Sequence, residues 1–236
     1  MEDVVVLAGG TGTRLRPYTT VLPKPLMPVG DMPVLEILLR RLAAAGLTRV
    51  NLAVGHLAEL IEAYFGDGTR FGVELVYWHE HEPLGTAGPI ARMELDGERV
   101  LVMNGDLLTT LDFASLLDEH GSSGAAATIA VLAREVPIDF GVVRLDGDTV
   151  AGFEEKPVLS YNVSMGVYVF ERRVMDLIPS AERFDFPDLL GAVLARGWPV
   201  HAYRSDDFWL DIGRPEDYEL ANETFADLRD RLLPPG

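Results

Sequence analysis

The chain has 236 residues, 48% of them hydrophobic, and carries a formal net charge of −17. This length suits one large α/β domain better than two independent domains. The acidic charge argues against nucleic acid as a partner, because a phosphate backbone is bound by clustered Lys and Arg.

The longest apolar runs are far below the roughly 20 residues that span a bilayer. The start, MEDVVVLAGG, lacks the basic segment of a signal peptide, and there is no cysteine for a disulfide or a thiolate metal site. We therefore expect a cytoplasmic protein with no membrane partner.

The first half of the chain alternates predicted strands and helices. Strands are predicted over residues 3–8, 49–54, 73–78 and 99–104. Helices are predicted over residues 33–45, 56–65 and 86–93. This rhythm favours an α/β fold with a mostly parallel, doubly wound sheet covered on both faces.

The second half has strands that follow one another more closely. A helix over 112–119 precedes strands over 125–133, 141–145, 150–154 and 163–170, and a strand end over 209–213 lies between helices over 188–195 and 215–225. The last ten residues are expected to be frayed. Short turns between strands indicate an antiparallel portion, which we expect to carry the acceptor side of a cleft.

Residues 7–28, LAGGTGTRLRPYTTVLPKPLMP, have a composition suited to phosphate binding. A strand leads into a glycine-rich turn, whose backbone N–H groups can approach phosphate oxygens, and Arg14 and Lys24 can add positive charge. The third glycine of a dinucleotide-binding fingerprint is missing, as is the Gly-Lys-Ser/Thr of a Walker A loop. A dinucleotide-dependent oxidoreductase is therefore disfavoured.

The two lysines of the chain are conspicuous among eighteen arginines. Lys24 and Lys156 both lie beside proline, in Leu-Pro-Lys-Pro and Glu-Glu-Lys-Pro. A lysine ammonium is a compact point charge that can approach a single phosphate oxygen. The alternative is chance retention of two lysines at the surface.

Five later motifs follow this segment in a characteristic order. They are Glu-Pro-Leu-Gly-Thr-Ala-Gly (82–88), Asn-Gly-Asp (104–106), Glu-Lys-Pro (155–157), Ser-Met-Gly (164–166) and Trp-Leu-Asp-Ile-Gly (209–213). With residues 7–28 they resemble the sugar-1-phosphate nucleotidyltransferases, or nucleotide-sugar pyrophosphorylases, and are most like the mannose-1-phosphate guanylyltransferase type. The likeness covers nearly the whole chain, and we expect the chain to lack the C-terminal hexapeptide-repeat β-helix that many relatives carry.

The resemblance implies an enzyme of the EC 2.7.7 class with a Rossmann-like, GT-A-type fold. It would transfer a nucleotidyl group from an NTP to a sugar-1-phosphate and release pyrophosphate. Residues 1–236 would form a single domain, with 1–111 mainly binding the nucleotide and 112–236 mainly binding the sugar phosphate. A homodimer is compatible with the family. The rival interpretation is a catalytically silent nucleotide or sugar-phosphate sensor on the same fold.

Roles follow from the resemblance for matching positions. Asp106 and Asp211 would hold Mg²⁺, a hard cation that prefers carboxylate oxygens. Arg14 and Lys24 would bind the triphosphate, and Lys156 the phosphate of the acceptor; these five residues form the predicted catalytic set. The predicted nucleotide-binding residues are Leu7, Ala8, Gly9, Gly10, Thr11, Gly12, Thr13, Arg14, Lys24, Glu80, Gly85 and Thr86. The predicted sugar-phosphate-binding residues are Asn104, Gly141, Glu155, Lys156, Asn162 and Ser164.

Base and sugar preference are read from two further positions. Glu80 stands where family members that use dTTP or UTP commonly have glutamine, and an ionised carboxylate only accepts hydrogen bonds. Guanine offers adjacent donors at N1 and N2, so we predict GTP, with dTTP or UTP as the alternative. Ser164 stands where mannose-type members usually have asparagine, so a heptose, an amino sugar or a cyclitol phosphate is also open. His79 and His81 alternate on a strand, but no third ligand completes a metal site there.

Overall fold

A seven-stranded sheet forms the centre of the computed structural model, which describes residues 2–80, 82–180 and 182–233. The strands are β1 (Glu2–Ala8), β2 (Pro28–Val29), β3 (Met32–Pro33), β4 (Arg49–Val54), β5 (Glu74–His79), β6 (Arg99–Asn104), β7 (Leu107–Thr109), β8 (Ala127–Pro137), β9 (Val142–Asp146), β10 (Thr149–Glu154), β11 (Val158–Glu171), β12 (Val200–Arg204) and β13 (Trp209–Asp211). The helices are α1 (Val34–Ala44), α2 (Ala58–Phe65), α3 (Phe113–Ser123), α4 (Arg172–Met175), α5 (Phe186–Ala195) and α6 (Pro215–Leu232).

The order of the central sheet is β12-β8-β11-β6-β1-β4-β5. The strands β6, β1, β4 and β5 run parallel, with Val6 paired to Leu52 on one side and to Met103 on the other. β11 is antiparallel to both β6 and β8, and β12 is parallel to β8. The predicted fold class, a mostly parallel sheet with an antiparallel portion, is confirmed.

Both faces of this sheet are buried. Successive side chains of a strand point to opposite faces, so Val4 and Val6 join one apolar cluster while Val5 joins the other. The first cluster is covered by α1, α2 and α3, and the second by α4 and α5. A third cluster joins α6 to the opposite side of α1, through Val34, Ile37 and Phe225.

Several predicted helix boundaries are wrong; α3 ends at Ser123 rather than at residue 119, and α5 begins at Phe186 rather than at residue 188. The helix over 86–93 is a 3₁₀ turn, Gly88–Arg92, because the N–H groups of residues 87 and 88 both donate to the carbonyl of Phe184 at 2.9 Å. α2 begins at Ala58 rather than at residue 56, since Leu57 has a left-handed φ of 56°. α6 continues to Leu232, which is fully buried, so residues 227–232 are helical rather than frayed; residues 234–236 lie outside the described part.

In the described part of the chain, three small antiparallel sheets accompany the central one. β9 and β10 form a hairpin, β13 pairs with β7, and β2 pairs with β3. β8 and β11 are longer than predicted and form a ribbon that leads out to the Glu-Lys-Pro segment. None of the described helices has both the length and the apolar character that a bilayer crossing demands.

Candidate active site

A cleft of about 640 Å³ opens beyond the carboxyl ends of the parallel strands. Open α/β sheets place ligands at this edge, because the loops that follow neighbouring strands meet there. All twelve predicted nucleotide-binding residues line the cleft, and so do Asn104 and Asp106. The structure therefore brings together residues from the ends of β1, β5 and β6.

The glycine-rich turn after β1 is closed by its own polar groups. Gly12 adopts a left-handed φ of 60°, and its carbonyl accepts a hydrogen bond from the Thr19 hydroxyl at 2.7 Å. A Cβ atom at this position would lie 2.8 Å from the Thr19 methyl carbon, so both the φ angle and the space require glycine. The turn places Arg14 beside Gly213, and both residues line the cleft.

Lys24 connects the two predicted metal ligands. Its Nζ atom forms an ion pair with Asp106 Oδ2 and lies 3.5 Å from Asp211 Oδ1. The Lys24 side chain is only 12% exposed, so the ammonium has little contact with solvent and depends on these carboxylates. Three residues of the predicted catalytic set thus form one charged cluster.

The pairing of β7 with β13 explains how Asp106 and Asp211 meet. Leu107 is the register partner of Asp211, and the N–H of Ile212 donates to the carbonyl of Asp106 at 3.1 Å. Just before this pairing, the N–H of Gly105 donates to the carbonyl of Leu7 at 2.8 Å and joins the segment to the end of β1. The backbone therefore brings the two aspartates together, with Asp106 in the lining of the cleft.

The carboxylate pair suits a hard divalent cation. Burial raises the pKa of Asp106 above its ordinary value; Lys24 opposes this shift and the charge of Asp211 adds to it. Asp106 Oδ1 is buried and has no hydrogen-bond partner among the described residues. Mg²⁺ is usually held by one or two carboxylates, together with substrate phosphates and water, so two neighbouring aspartates beside a glycine-rich turn fit such an ion.

Glu80 lies directly after β5 and lines the cleft. Its carboxylate packs against Gly9, where a Cβ atom would collide with Oε1. Burial raises the pKa of Glu80 above its ordinary value, while the backbone N–H of Leu84 and the charge of Arg92 oppose the shift. The neighbouring His81 lies outside the described residues, within which no three His, Cys, Asp or Glu side chains are grouped to hold a metal ion.

Several residues that line the cleft were not predicted from the sequence. They are Pro25, Gly55, His56, Glu82, Pro83, Pro89, Gly105, Arg183, Asp185 and Gly213. Gly55 and His56 follow β4, and the rule that ligands gather at the carboxyl ends of parallel strands could have found them. Arg183 and Asp185 precede α5 in a chain segment without a recognisable motif, so only the tertiary structure reveals them.

Two of the predicted acceptor residues meet around Gly166. This glycine has a left-handed φ of 69°, and a Cβ atom on it would lie 2.7 Å from the Asn104 amide nitrogen. Its N–H donates to the Ser164 hydroxyl at 3.2 Å, and the Ser164 hydroxyl in turn donates to the Tyr168 hydroxyl at 3.0 Å. The Trp209 indole N–H donates to the carbonyl of Met165 at 2.7 Å, which ties this bulge of β11 to β13.

The other predicted acceptor residues lie farther out, on the ribbon and hairpin. A Cβ atom on Gly141 would lie 3.2 Å from Glu155 Oε2, so these two positions are neighbours. Lys156 is exposed and has a left-handed φ of 46°, which is uncommon for a residue with a side chain. Within the described part of the chain it forms no ion pair, and neither it nor Asn162 lines the cleft.

A family model described as nucleotidyl transferase matches residues 3–227, which includes every one of these positions. The chain belongs to the nucleotidyl transferase family. Over 227 residues it is 42% identical to the mannose-1-phosphate guanylyltransferase of Mycobacterium tuberculosis, covering 92% of this chain and 62% of that protein. It is also 37% identical to a UTP–glucose-1-phosphate uridylyltransferase of Synechocystis, covering 91% of this chain and 61% of the relative. The chain thus spans about three fifths of the length of these relatives.

The fold is shared with solved structures of similar length. HddC from Yersinia pseudotuberculosis, in its complex with GMP-PN, superposes with a TM-score of 0.75 at 28% identity. The match covers 95% of this nucleotidyl transferase chain and 100% of the HddC chain. The predicted family and fold are therefore confirmed.

Proposed function

We propose that the protein transfers a nucleotidyl group from GTP to the phosphate of a sugar-1-phosphate, or of a sugar-like cyclitol phosphate, and releases pyrophosphate. The observation that carries this proposal is the ion-paired cluster of Lys24, Asp106 and Asp211, of which Lys24 and Asp106 line a cleft of about 640 Å³ together with the glycine-rich turn. Membership of the nucleotidyl transferase family supports it.

The chemistry asked of this site is an in-line displacement. An oxygen of the acceptor phosphate forms a bond to the α-phosphorus of the nucleotide, and the bond from that phosphorus to the bridging oxygen of the departing pyrophosphate breaks. Such a reaction needs positioning and charge neutralisation more than covalent help from the protein. The glycine-rich turn would hold the phosphates with its N–H groups, and Arg14 and Lys24 would stabilise the charge on pyrophosphate.

Asp106 and Asp211 would hold Mg²⁺. The ion, when bound, supplies positive charge to the phosphate oxygens. Lys24 pairs with both carboxylates, so its single positive charge offsets part of their combined negative charge. Lys156, Glu155, Gly141, Asn162, Ser164 and Asn104 would bind the acceptor, so residues 1–111 would mainly serve the nucleotide and 112–236 mainly the sugar phosphate.

GTP is favoured by the carboxylate of Glu80 at the wall of the cleft. An ionised carboxylate can accept from both N1–H and N2–H of guanine, whereas uracil and thymine offer one donor flanked by acceptors. The 42% identical guanylyltransferase and the GMP-PN complex of HddC agree with this preference. The 37% identical uridylyltransferase supports the alternative, in which UTP or dTTP is used.

The proposal is tested by pyrophosphate release from GTP, dTTP, UTP, ATP and CTP with Mg²⁺. Each nucleotide is paired with mannose-, glucose-, glucosamine- and heptose-1-phosphates and with a cyclitol phosphate. We expect release with GTP and one of these acceptors. A folded protein that released no pyrophosphate with any pair would contradict the proposal and favour a sensor.

Glu80→Gln tests the choice of base within the same assay. The amide can donate to a pyrimidine carbonyl, but it offers the two guanine donors a single acceptor oxygen in place of two. We expect kcat/KM for GTP to fall at least about tenfold while that for UTP rises or is unchanged. A wild-type enzyme that turned over dTTP or UTP far better than GTP would contradict the guanine assignment and leave the transfer reaction standing.

The predicted homodimer and cytoplasmic location belong to the same proposal. Light scattering during size-exclusion chromatography would measure the oligomeric state directly, and fractionation of the source cells would locate the protein.

A further inference from the structure

The turn that follows Glu80 is seated on a loop from the second half of the chain. We propose that Asp185 is a positioning residue for the nucleoside part of the nucleotide: it holds Gly85 and Thr86 in the conformation in which Glu80 meets the base. This inference rests on the proposed function, because it assigns the base to the wall formed by Glu80.

The contacts between the two segments centre on one carboxylate. Asp185 Oδ1 accepts hydrogen bonds from the backbone N–H of Thr86 at 2.8 Å and from the Thr86 hydroxyl at 3.2 Å. The Thr86 hydroxyl oxygen accepts in return from the N–H of Phe186 at 2.9 Å. Residues 99 and 100 positions apart in the chain are thereby joined by three hydrogen bonds.

The conformation of Gly85 shows how closely the turn is seated. Its φ is 83°, and a Cβ atom would lie 2.7 Å from Asp185 Oδ1 and 2.6 Å from the carbonyl oxygen of Phe184. Only glycine fits this combination of φ angle and space. The turn can therefore rest directly on Asp185, and its shape depends on that contact.

The same turn is held at Leu84, four residues after Glu80. The carbonyl of Leu84 accepts a hydrogen bond from the N–H of Phe184 at 2.8 Å, and the Leu84 N–H acts to lower the pKa of Glu80 against the larger effect of burial. Loss of the contact with Asp185 would free the turn that supports Glu80. The glycine-rich turn after β1, which would hold the triphosphate, forms none of these hydrogen bonds.

Asp185 acts through the turn because both of its oxygens are engaged. Oδ2 accepts from Arg183 Nε at 3.3 Å, while Oδ1 is occupied by Thr86. The Thr86 N–H lowers the pKa of Asp185 below its ordinary value, so the carboxylate is ionised at neutral pH. A charged acceptor strengthens the hydrogen bonds that seat the turn.

A purely structural role at the start of α5 is the alternative. Asp185 and Asp188 form a capping box, in which the N–H of Asp185 donates to Asp188 Oδ2 at 3.2 Å. Three variants separate the two roles. Asp185→Ser keeps a good N-cap but is too short to reach Thr86, Asp185→Asn keeps an acceptor for Thr86, and Asp188→Ala weakens the cap without touching Thr86.

The experiment is calorimetric binding of GTP, UTP and inorganic tripolyphosphate, with Mg²⁺, to the full chain. For Asp185→Ser we expect GTP affinity to fall about tenfold, with the ratio of GTP to UTP affinity moving towards one. Tripolyphosphate affinity should stay within about twofold of wild type, since that probe lacks a nucleoside. Asp185→Asn and Asp188→Ala should both bind GTP within about threefold of wild type.

Three results would overturn the inference. They are unchanged GTP affinity in Asp185→Ser, an equal loss in Asp188→Ala, and a parallel loss of tripolyphosphate. Wild-type protein that binds GTP but releases no pyrophosphate would refute the proposed function alone. Wild-type protein that binds no nucleotide would refute both. Circular dichroism of each variant identifies unfolding, and Asp185→Asn then still decides whether the acceptor at this position is sufficient.

Discussion

Asp106 and Asp211 lie side by side because the strand that follows the first pairs with the strand that ends in the second. Leu107 is the register partner of Asp211, and Ile212 donates to the carbonyl of Asp106 at 3.1 Å. The position of each carboxylate is thus set by backbone hydrogen bonds, which do not depend on the side chains themselves. Substitutions at these positions should therefore report on chemistry more than on folding.

Asp106→Asn and Asp211→Asn should each lower kcat/KM by about 100-fold or more, because each removes negative charge from the predicted Mg²⁺ site. Both variants should also need more Mg²⁺ for half-maximal activity. Pyrophosphate release measured across a Mg²⁺ titration checks this. Asp176→Asn, an exposed aspartate 3.7 Å from Arg172, is the matched control and should behave as wild type. Two active-site variants that kept more than half of the activity would refute the assignment.

The two lysines should affect different substrates. Lys24→Met should raise KM for the nucleotide and lower kcat, because Lys24 lies in the cleft between the carboxylates. Lys156→Met should raise KM for the acceptor and leave that for the nucleotide within about twofold. Lys24→Arg should not retain wild-type activity, since a planar guanidinium cannot take the place of a compact ammonium between two carboxylates. Initial rates with each substrate varied in turn give this split; equal effects on both substrates would contradict it.

Gly9 and Gly10 should differ in their effect on the choice of base. A Cβ atom on Gly9 would displace the Glu80 carboxylate, whereas a Cβ atom on Gly10 meets nothing within 4 Å. Gly9→Ala should therefore reduce the ratio of kcat/KM for GTP over UTP by about tenfold. Gly10→Ala should leave that ratio unchanged, whatever it does to the absolute rate. The same change of ratio in both variants would mean that contact with Glu80 is not the cause.

GTP binding should weaken as the pH falls, and the loss should begin at a pH above 4.5, the ordinary pKa of a glutamate side chain. Burial raises the pKa in the folded chain, so ionised Glu80 disfavours folding at neutral pH and protonation removes that cost. Protonation of Glu80 has the opposite effect on base recognition, because only the ionised carboxylate offers an acceptor oxygen to each of the two guanine donors. KM for GTP measured between about pH 8 and about pH 5 should rise more for wild type than for Glu80→Gln. Identical profiles would refute this role, because the phosphates of GTP titrate equally in both.

Much of the fold and of the nucleotide side of the cleft could be predicted from local sequence. The buried strand β1, the glycine-rich turn and each of the later motifs are formed by residues that lie close together in the sequence. They can therefore be recognised without the structure. The residues predicted to bind the acceptor are harder to assign. Lys156 and Asn162 lie on an exposed ribbon and hairpin, outside the cleft. Their part in the site stays a prediction.

By itself, the sequence determined the α/β class, the glycine-rich turn and the family, because hydrophobic periodicity and motif spacing are local properties. Only the tertiary structure decided which distant residues meet. The contact of Lys24 with Asp211 spans 187 positions and that of Thr86 with Asp185 spans 99. These contacts are made where separate loops converge at one edge of the sheet. Their formation depends on strand pairing and on the packing of α5, and no local pattern records which loops will touch.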